Sequence, residues 1–142
     1  MKRGVTLTYL IGEPALENKL REILTKEGYR VEPKPKSRHE VDIVAYKGGR
    51  TYVIEVEGNR KPKEEISLTN SQKYTHFLRA VGQLCLRMDI YPDCQYVLAL
   101  PDDEYYLEKV SKTAVAFCKL GIYVYVLDQN GIKDKLTFGL SK

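Results

Sequence analysis

The 142-residue sequence contains no tryptophan and only three cysteines, and these absences narrow its class. The cysteines have no CxxC spacing, which argues against a zinc site or a disulfide framework. Because Cys85 and Cys118 stand among apolar residues in helical patterns, we expect both to be small core residues. No apolar run approaches the roughly 20 residues that cross a bilayer. The first residues also lack a signal-peptide pattern, so we expect a cytoplasmic protein with no membrane partner.

Several sequence motifs of common enzymes are missing as well. There is no GxxxxGK[ST] loop, no GxGxxG turn and no GxSxG elbow, so we expect no nucleotide cofactor and no serine-hydrolase chemistry. The formal net charge of +4 is mildly basic and compatible with a nucleic-acid partner.

The pattern along the chain predicts a single domain over residues 1–142, because it contains no repeat, low-complexity tract or linker. Apolar periodicity predicts helices at 14–27, 71–88 and 103–120. Strands are predicted at 29–31, on both sides of Gly48-Gly49 between 41 and 58, at 96–100 and at 122–127, and a last hairpin crosses Asn130-Gly131. The order of helix, three strands, helix, strand, helix and strand indicates an α/β domain with a central mixed sheet flanked by helices.

Three carboxylates stand out in the segment from 41 to 58. A two-residue turn at Gly48-Gly49 pairs Asp42 with Glu55, and side-chain alternation places Glu57 on the same face. Directly opposed carboxylates destabilise a sheet unless a cation compensates their charge. A divalent metal ion would do so, and it would also lower the pKa of a bound water.

A second interpretation remains open at this point. One face of the hairpin could be solvated, in which case the acids would be ordinary surface residues of an unrelated α/β protein. The opposite face, with Val41, Ile43 and Ile54 among its members, is almost entirely apolar and is expected to pack into the core.

The acids and their surroundings resemble the signature of the PD-(D/E)XK, or restriction-endonuclease-like, nuclease superfamily. Asp42 is followed after about a dozen residues by Glu55-Val56-Glu57, and the segment Arg79-Ala80-Val81-Gly82-Gln83-Leu84 resembles the helix motif that follows the acids in many members. The resemblance covers nearly the whole chain and is closest in layout to Holliday-junction resolvases and Mrr-type nucleases. It implies an αβββαβ core.

The resemblance also implies roles for individual residues. Asp42 and Glu55 would bind Mg²⁺ or Mn²⁺, and Glu17 would match the acid of the leading helix, with Glu13 as a weaker competitor for that role. Glu57 stands where most members carry lysine, and it would activate or orient water. Either Lys61 or Lys73 could supply the missing lysine. Gln83 could orient a water or touch the nucleic acid, or it could be a half-buried side chain that is simply hydrogen-bonded. Glu17 could likewise be a solvated helix residue.

Basic residues flank the acids on both sides. Such residues supply most non-specific affinity for nucleic acids through phosphate contacts. The residues predicted to bind nucleic acid are Lys36, Arg38, Arg60, Lys61, Lys73 and Arg79.

The function implied is that of a metal-dependent endonuclease that hydrolyses DNA, and members of this size commonly form homodimers. The alternative is a catalytically inactive nuclease-like module that binds nucleic acid or takes part in an assembly.

Overall fold

The computed structural model describes residues 9–34 and 41–140. The four helices of these ranges are α1 (Glu13–Lys26), α2 (Asn70–Ile90), α3 (Glu104–Lys112) and α4 (Ala114–Leu120). The strands are β1 (Arg30–Val31), β2 (Ile43–Lys47), β3 (Arg50–Val56), β4 (Gln95–Pro101), β5 (Ile122–Asp128) and β6 (Gly131–Leu136).

All six strands join one sheet, and their order in space follows their order in the chain. The strand pairs β3–β4 and β4–β5 are parallel, with helices in the connections, whereas the other three pairs are antiparallel hairpins. This mixed sheet with flanking helices confirms the predicted α/β architecture.

Helices cover both faces of the sheet. Leu16, Leu20 and Leu24 of α1 pack with Ile54 and Val56 of β3 on one face. On the other face, α2, α3 and α4 cover the alternate strand residues, and the largest buried members of that layer include Phe77, Tyr106, Phe117 and Leu98. Strands buried on both sides carry apolar residues in continuous runs, which explains why the sheet centre lacks a polar face.

The helix predicted at 103–120 is wrong in one respect, because it breaks at Thr113 into α3 and α4. The Thr113 hydroxyl donates to the carbonyl oxygens of Lys109 (2.8 Å) and Val110 (3.2 Å). Such bonding of a threonine side chain back to the preceding turn bends helices. The chain then resumes a helical path toward Gly121, whose φ of 76° ends α4.

The prediction for the cysteines is also wrong, since Cys85 and Cys118 are both exposed. The residues directly before them, Leu84 and Phe117, are buried, but one further step of about 100° around the helix turns each cysteine outward. Among the described residues, no helix is both long and apolar enough to cross a membrane.

Gly58 brings the end of β3 against the start of α1. A Cβ at this position would lie 2.5 Å from the Glu13 backbone nitrogen and 2.6 Å from the Ile11 carbonyl oxygen. Only glycine permits so close an approach of two backbones. Glu55 near the end of β3 and Glu57 just after it are therefore brought toward the first turn of α1.

Candidate metal and nucleic-acid site

The hairpin register predicted from the Gly48-Gly49 turn is confirmed. Both glycines have positive φ (60° and 75°). The strand pairs run from Lys47 with Arg50, beside the turn, to Ile43 with Ile54. Asp42 lies just before the first paired residue of β2, at a bend of the chain. Because pairing no longer imposes alternation at this bend, Val41 packs in the layer under α2 and does not share the face of Ile43 as predicted.

Asp42, half-buried, and Glu55, buried, form a pair of neighbouring carboxyls. The two carboxyls lie close enough for each to affect the pKa of the other. Burial, followed by the neighbouring charge of Asp42, raises the pKa of Glu55 to about 8, against the opposing effect of Arg87. Burial also raises the pKa of Asp42, although the Val56 N–H that donates to Oδ2 (2.8 Å) opposes this.

One oxygen of Glu55 has an unusual environment. Glu55 is 7% exposed, and its Oε2 lies 3.5 Å from Nε of Arg87. Both atoms are buried, and neither has a hydrogen-bond partner within the ranges 9–34 and 41–140. A buried carboxylate oxygen without a hydrogen bond costs free energy. Oε2 of Glu55 is therefore an acceptor that a ligand could use.

Helix α1 adds two carboxylates to the cluster. Oxygens of Glu13, Glu17 and Asp42 lie within 4.8 Å of one another. Burial is the main cause that raises the pKa of Glu13 to about 7, followed by the charges of Glu57, Asp42 and Glu17. The helix presents Glu13 and Glu17 one turn apart on the face nearest the hairpin.

Two cations neutralise the outer side of this cluster. Nζ of Lys34 lies 2.8 Å from both carboxylate oxygens of Glu17 and 4.0 Å from Oδ1 of Asp42. Arg21 donates from Nε to Glu17 (3.1 Å), and its other nitrogens donate to the backbone carbonyls of Glu32 and Asp42. Arg21 therefore ties α1 to both ends of the segment that precedes β2.

Glu57 pairs with a histidine of α2. Oε1 of Glu57 lies 2.9 Å from Nδ1 of His76. Burial, then the charge of Asp42, raises the pKa of Glu57 to about 8, while burial and Arg79 lower the pKa of His76. The two shifts act in the same sense, because both favour the uncharged forms of this carboxyl and imidazole.

A cavity of about 600 Å³ opens beside Glu57. The charged and polar side chains in its lining include Glu13, Glu57, Arg60, Lys61, Lys63 and His76. The basic residues come from the loop 59–69, which folds back on itself through a bridge between Arg60 and Ser67. The cavity thus has carboxylates on one side and cations on another.

Lys73 does not line this cavity. Its position supports neither the predicted phosphate contact nor the role of the missing lysine. The residue is 6% exposed, and its Nζ lies 2.7 Å from Oδ2 of Asp103. Asn59, fully buried, donates to the same oxygen (2.9 Å) and to the carbonyl of Tyr9. Lys73 is therefore part of a buried network that holds the loop after β3 against α3.

The remaining predicted residues are placed as follows. Arg79 is exposed on α2, near enough to Glu57 and His76 to affect the pKa of each. Gln83 is half-buried, one helical turn from both Arg79 and Arg87. Arg60 forms an ion pair with Glu65 (3.6 Å). Lys36 and Arg38 lie outside the described residues.

Sequence reasoning missed the partners of the acids. His76 and Arg87 stand at helical spacing on the face of α2 that also carries Arg79, and this spacing is a signal that could have linked them to the acids of β3. No local pattern marks Lys34 or Arg21 as a partner of Glu17, because those contacts depend on how α1 lies over the hairpin.

A divalent cation fits this set of donors. Glu13, Glu17 and Asp42 supply oxygens close to one another, and Glu55 supplies a buried oxygen without a hydrogen bond. Carboxylate oxygens without nitrogen or sulfur ligands suit the hard ions Mg²⁺ and Mn²⁺.

No protein-family model matches the sequence, and no curated protein matches it. The crystal structures that are similar in fold include the following two. An XisH family protein from Nostoc punctiforme PCC 73102 superimposes with a TM-score of 0.59 and 15% identity, over 85% of this chain and 98% of that one. An fdxN element excision controlling factor protein from Anabaena variabilis gives a TM-score of 0.57 and 19% identity, over 87% and 98% of the two chains. At these identities the likeness shows that the fold is shared, and it shows the fold alone.

Proposed function

We propose that this chain is a metal-dependent endonuclease of the PD-(D/E)XK type that hydrolyses phosphodiester bonds in DNA. The observation that carries the proposal is the buried oxygen of Glu55 that lacks a hydrogen-bond partner beside Asp42. The Arg87 guanidinium, 3.5 Å from this oxygen, compensates part of the charge of the two acids, and a divalent cation would compensate the rest.

Asp42 and Glu55 would hold the metal ion, with Glu17 or Glu13 as a further ligand from α1. When bound, the ion would polarise a phosphate oxygen and lower the pKa of a coordinated water. Metal binding would displace the proton that the raised pKa favours on Glu55, because the ligands are carboxylates.

Glu57 and His76 would then handle the proton of the attacking water. Water forms a bond to phosphorus, the bond to one ester oxygen breaks, and the leaving oxygen takes up a proton. Once Glu57 has lost its own proton, its carboxylate, in contact with His76, can accept the proton of the attacking water, and solvent supplies the proton of the leaving oxygen. Glu57, in the place of the usual lysine, would thus act together with a histidine from α2.

DNA is the proposed substrate because cations border the acids. Arg60, Lys61 and Lys63 line the same cavity as Glu57 and would contact phosphates on either side of the scissile bond. The name of the Anabaena protein assigns it to control of excision of the fdxN element, which agrees with a role in DNA processing.

A second candidate function is an inactive nuclease-like module that binds DNA. The observation in its favour is the Lys34 ammonium, which contacts both oxygens of Glu17 and so neutralises part of the cluster without a metal ion.

Cleavage of labelled single-stranded, duplex, flap and four-way-junction DNA with Mg²⁺ or Mn²⁺ tests the two candidates. Cleavage that depends on metal and is lost in Asp42→Ala and Glu55→Ala supports the enzyme. Binding without cleavage on every substrate overturns the enzyme and supports the module.

A further inference from the structure

Helix α2 has an outward face that the rest of the described chain leaves exposed, apart from Lys109 of α3, whose Nζ lies 5.6 Å from the centre of the Tyr74 ring. The apolar members of this face are exposed at intervals of four residues: Leu78 at 50%, Leu86 at 64% and Ile90 at 63%, with Tyr74 at the other end. This face lies away from the core positions Phe77 and Leu84 of the same helix. Contiguous exposed apolar side chains of this kind mark interaction surfaces.

Gly82 stands at the centre of this stripe. It costs about 1 kcal/mol relative to alanine in a helix interior. A Cβ at Gly82 would meet nothing within 4 Å, so packing within the described chain does not require glycine there. A missing side chain at the middle of an apolar helix face permits the close approach of a second helix.

The apolar residues of this face are spaced symmetrically about Gly82, so the pattern is the same in both directions along the helix. Leu78 and Leu86 lie four residues on either side of Gly82, and Tyr74 and Ile90 lie eight residues on either side. Two copies of α2 that cross antiparallel at Gly82 would place Leu78 beside the other copy's Leu86. A two-fold interface requires this kind of self-complementarity, because both copies use the same patch.

The charges favour the same arrangement. Arg79 and Asp89 are the exposed charged residues of α2. A parallel pair would set like charges against each other, whereas the antiparallel pair places Arg79 about 6 Å along the helix axis from the other copy's Asp89, at 1.5 Å per residue.

We infer that the outward face of α2 is the interface of a homodimer, formed by two antiparallel α2 helices that cross at Gly82. A single helix pair buries less than the ~800 Å² per partner of a standard interface. The dimer is therefore weak, with a dissociation constant of about micromolar order. This inference does not depend on the nuclease proposal.

Sedimentation velocity of the full chain between ~1 and ~300 µM tests it, over the range in which a micromolar dimer dissociates. The wild type is expected to shift from monomer to dimer, and Leu86→Glu is expected to stay monomeric at every concentration. Val115→Glu is the matched control, since Val115 is an exposed apolar residue on α4 and the variant should still dimerise. Leu78→Glu provides a second variant should the first fail to fold.

Cross-linking locates the contact. Gly82→Cys, with Cys85, Cys94 and Cys118 replaced by serine, is expected to form a covalent dimer on mild oxidation, and Val115→Cys in the same background is not. A monomeric wild type over the whole range, or a dimer that survives Leu86→Glu and is lost in Val115→Glu, would overturn the interface. Cross-linking at position 115 without cross-linking at 82 would do the same.

Discussion

The backbone N–H of Val56 donates a 2.8 Å hydrogen bond to Oδ2 of Asp42. This bond fixes the carboxyl of the first acid to the strand residue that lies between Glu55 and Glu57. The three acids are therefore held together by the backbone, although Asp42 itself lies outside β2. Loss of a flanking side chain should leave the position of Asp42 largely intact, which makes single substitutions of the acids informative.

Glu55→Gln should abolish metal binding and, above about pH 8, where the Glu55 carboxyl is ionised, it should stabilise the metal-free protein. The amide keeps the shape of the carboxyl but carries no charge, so the cost of the crowded acids falls. We expect Mn²⁺ to raise the melting temperature of the wild type and to leave that of the variant unchanged. Differential scanning calorimetry with and without metal measures both effects.

Glu22→Gln is the control, because Glu22 is an exposed acid of α1 away from the cluster. Its response to Mn²⁺ should equal that of the wild type. A full metal response in Glu55→Gln would remove Glu55 from the set of metal ligands.

The metal-free protein should lose stability as the pH rises from about 5 to about 8. The pKa values of Glu55 and Glu57 are about 8 in the folded state and 4.5 in the reference state, so the folded state holds more protons between these limits. Their stabilising contribution is complete below pH 4.5 and is lost as the pH rises through 8. The lowered pKa of His76 acts in the opposite direction and reduces the slope.

Urea unfolding at several pH values measures this slope. In Glu55→Gln/Glu57→Gln the decline should become smaller, and Glu13, whose pKa is raised to about 7, should account for part of the remainder. Addition of Mn²⁺ should stabilise the wild type more at pH 8 than at pH 6, because binding must displace protons at the lower pH. A slope that the double variant does not change would assign the pH dependence to other groups.

Lys73→Met should destabilise the fold by about 3–5 kcal/mol, since it leaves the Asp103 carboxylate buried without its cation. Lys61→Met should leave stability within about 0.5 kcal/mol, as expected of a surface change. For DNA affinity at low salt we expect the opposite: Lys61→Met should weaken binding, and Lys73→Met should not. Equal effects of the two substitutions on unfolding would contradict the structural role given to Lys73.

Gly58→Ala and Gly82→Ala should change stability in opposite directions. The first places a methyl group 2.5 Å from the backbone of Glu13 and should cost at least about 2 kcal/mol. The second fills open space in a helix interior and should stabilise the monomer by about 1 kcal/mol. Thermal unfolding at low protein concentration compares them. A tolerated Gly58→Ala would show that α1 can move away from β3.

His76→Gln should lower the cleavage rate by about 100-fold or more, which is typical of a lost proton-transfer group. Metal affinity should be unchanged, because His76 contacts Glu57 and is not among the proposed ligands. Single-turnover cleavage with Mn²⁺ titration separates the two quantities. A variant that binds metal poorly and regains its rate at high Mn²⁺ would place His76 in the metal site.

The hairpin and the layered architecture could be predicted because local signals determine them. Gly48-Gly49 imposes a turn with two positive φ values, and this turn sets the register from Lys47 to Ile43. The break at Thr113 could not be predicted in the same way, because threonine within a helix is common and only its hydroxyl contacts reveal the bend.

The contacts of the candidate site depend on tertiary packing more than the hairpin and the layered architecture do. The role of Lys73 follows from Asp103, thirty residues away, and that of Lys34 follows from the position of α1. Charge alone made Lys73 look suited to phosphate, whereas its burial against Asp103 indicates a structural role. The roles predicted for Asp42, Glu55 and Glu57 stay predictions until metal binding and cleavage are measured.

The sheet whose spatial order repeats the chain order has a consequence for folding. Each strand can add to the edge left by the strand before it, so no strand has to enter between two that are already paired. Hairpins form on the microsecond scale, and the segment Ile43–Val56 needs no residue beyond Val56 to begin. The part of the chain that carries the acids can therefore start to assemble during synthesis, before the ribosome has made β5 and β6.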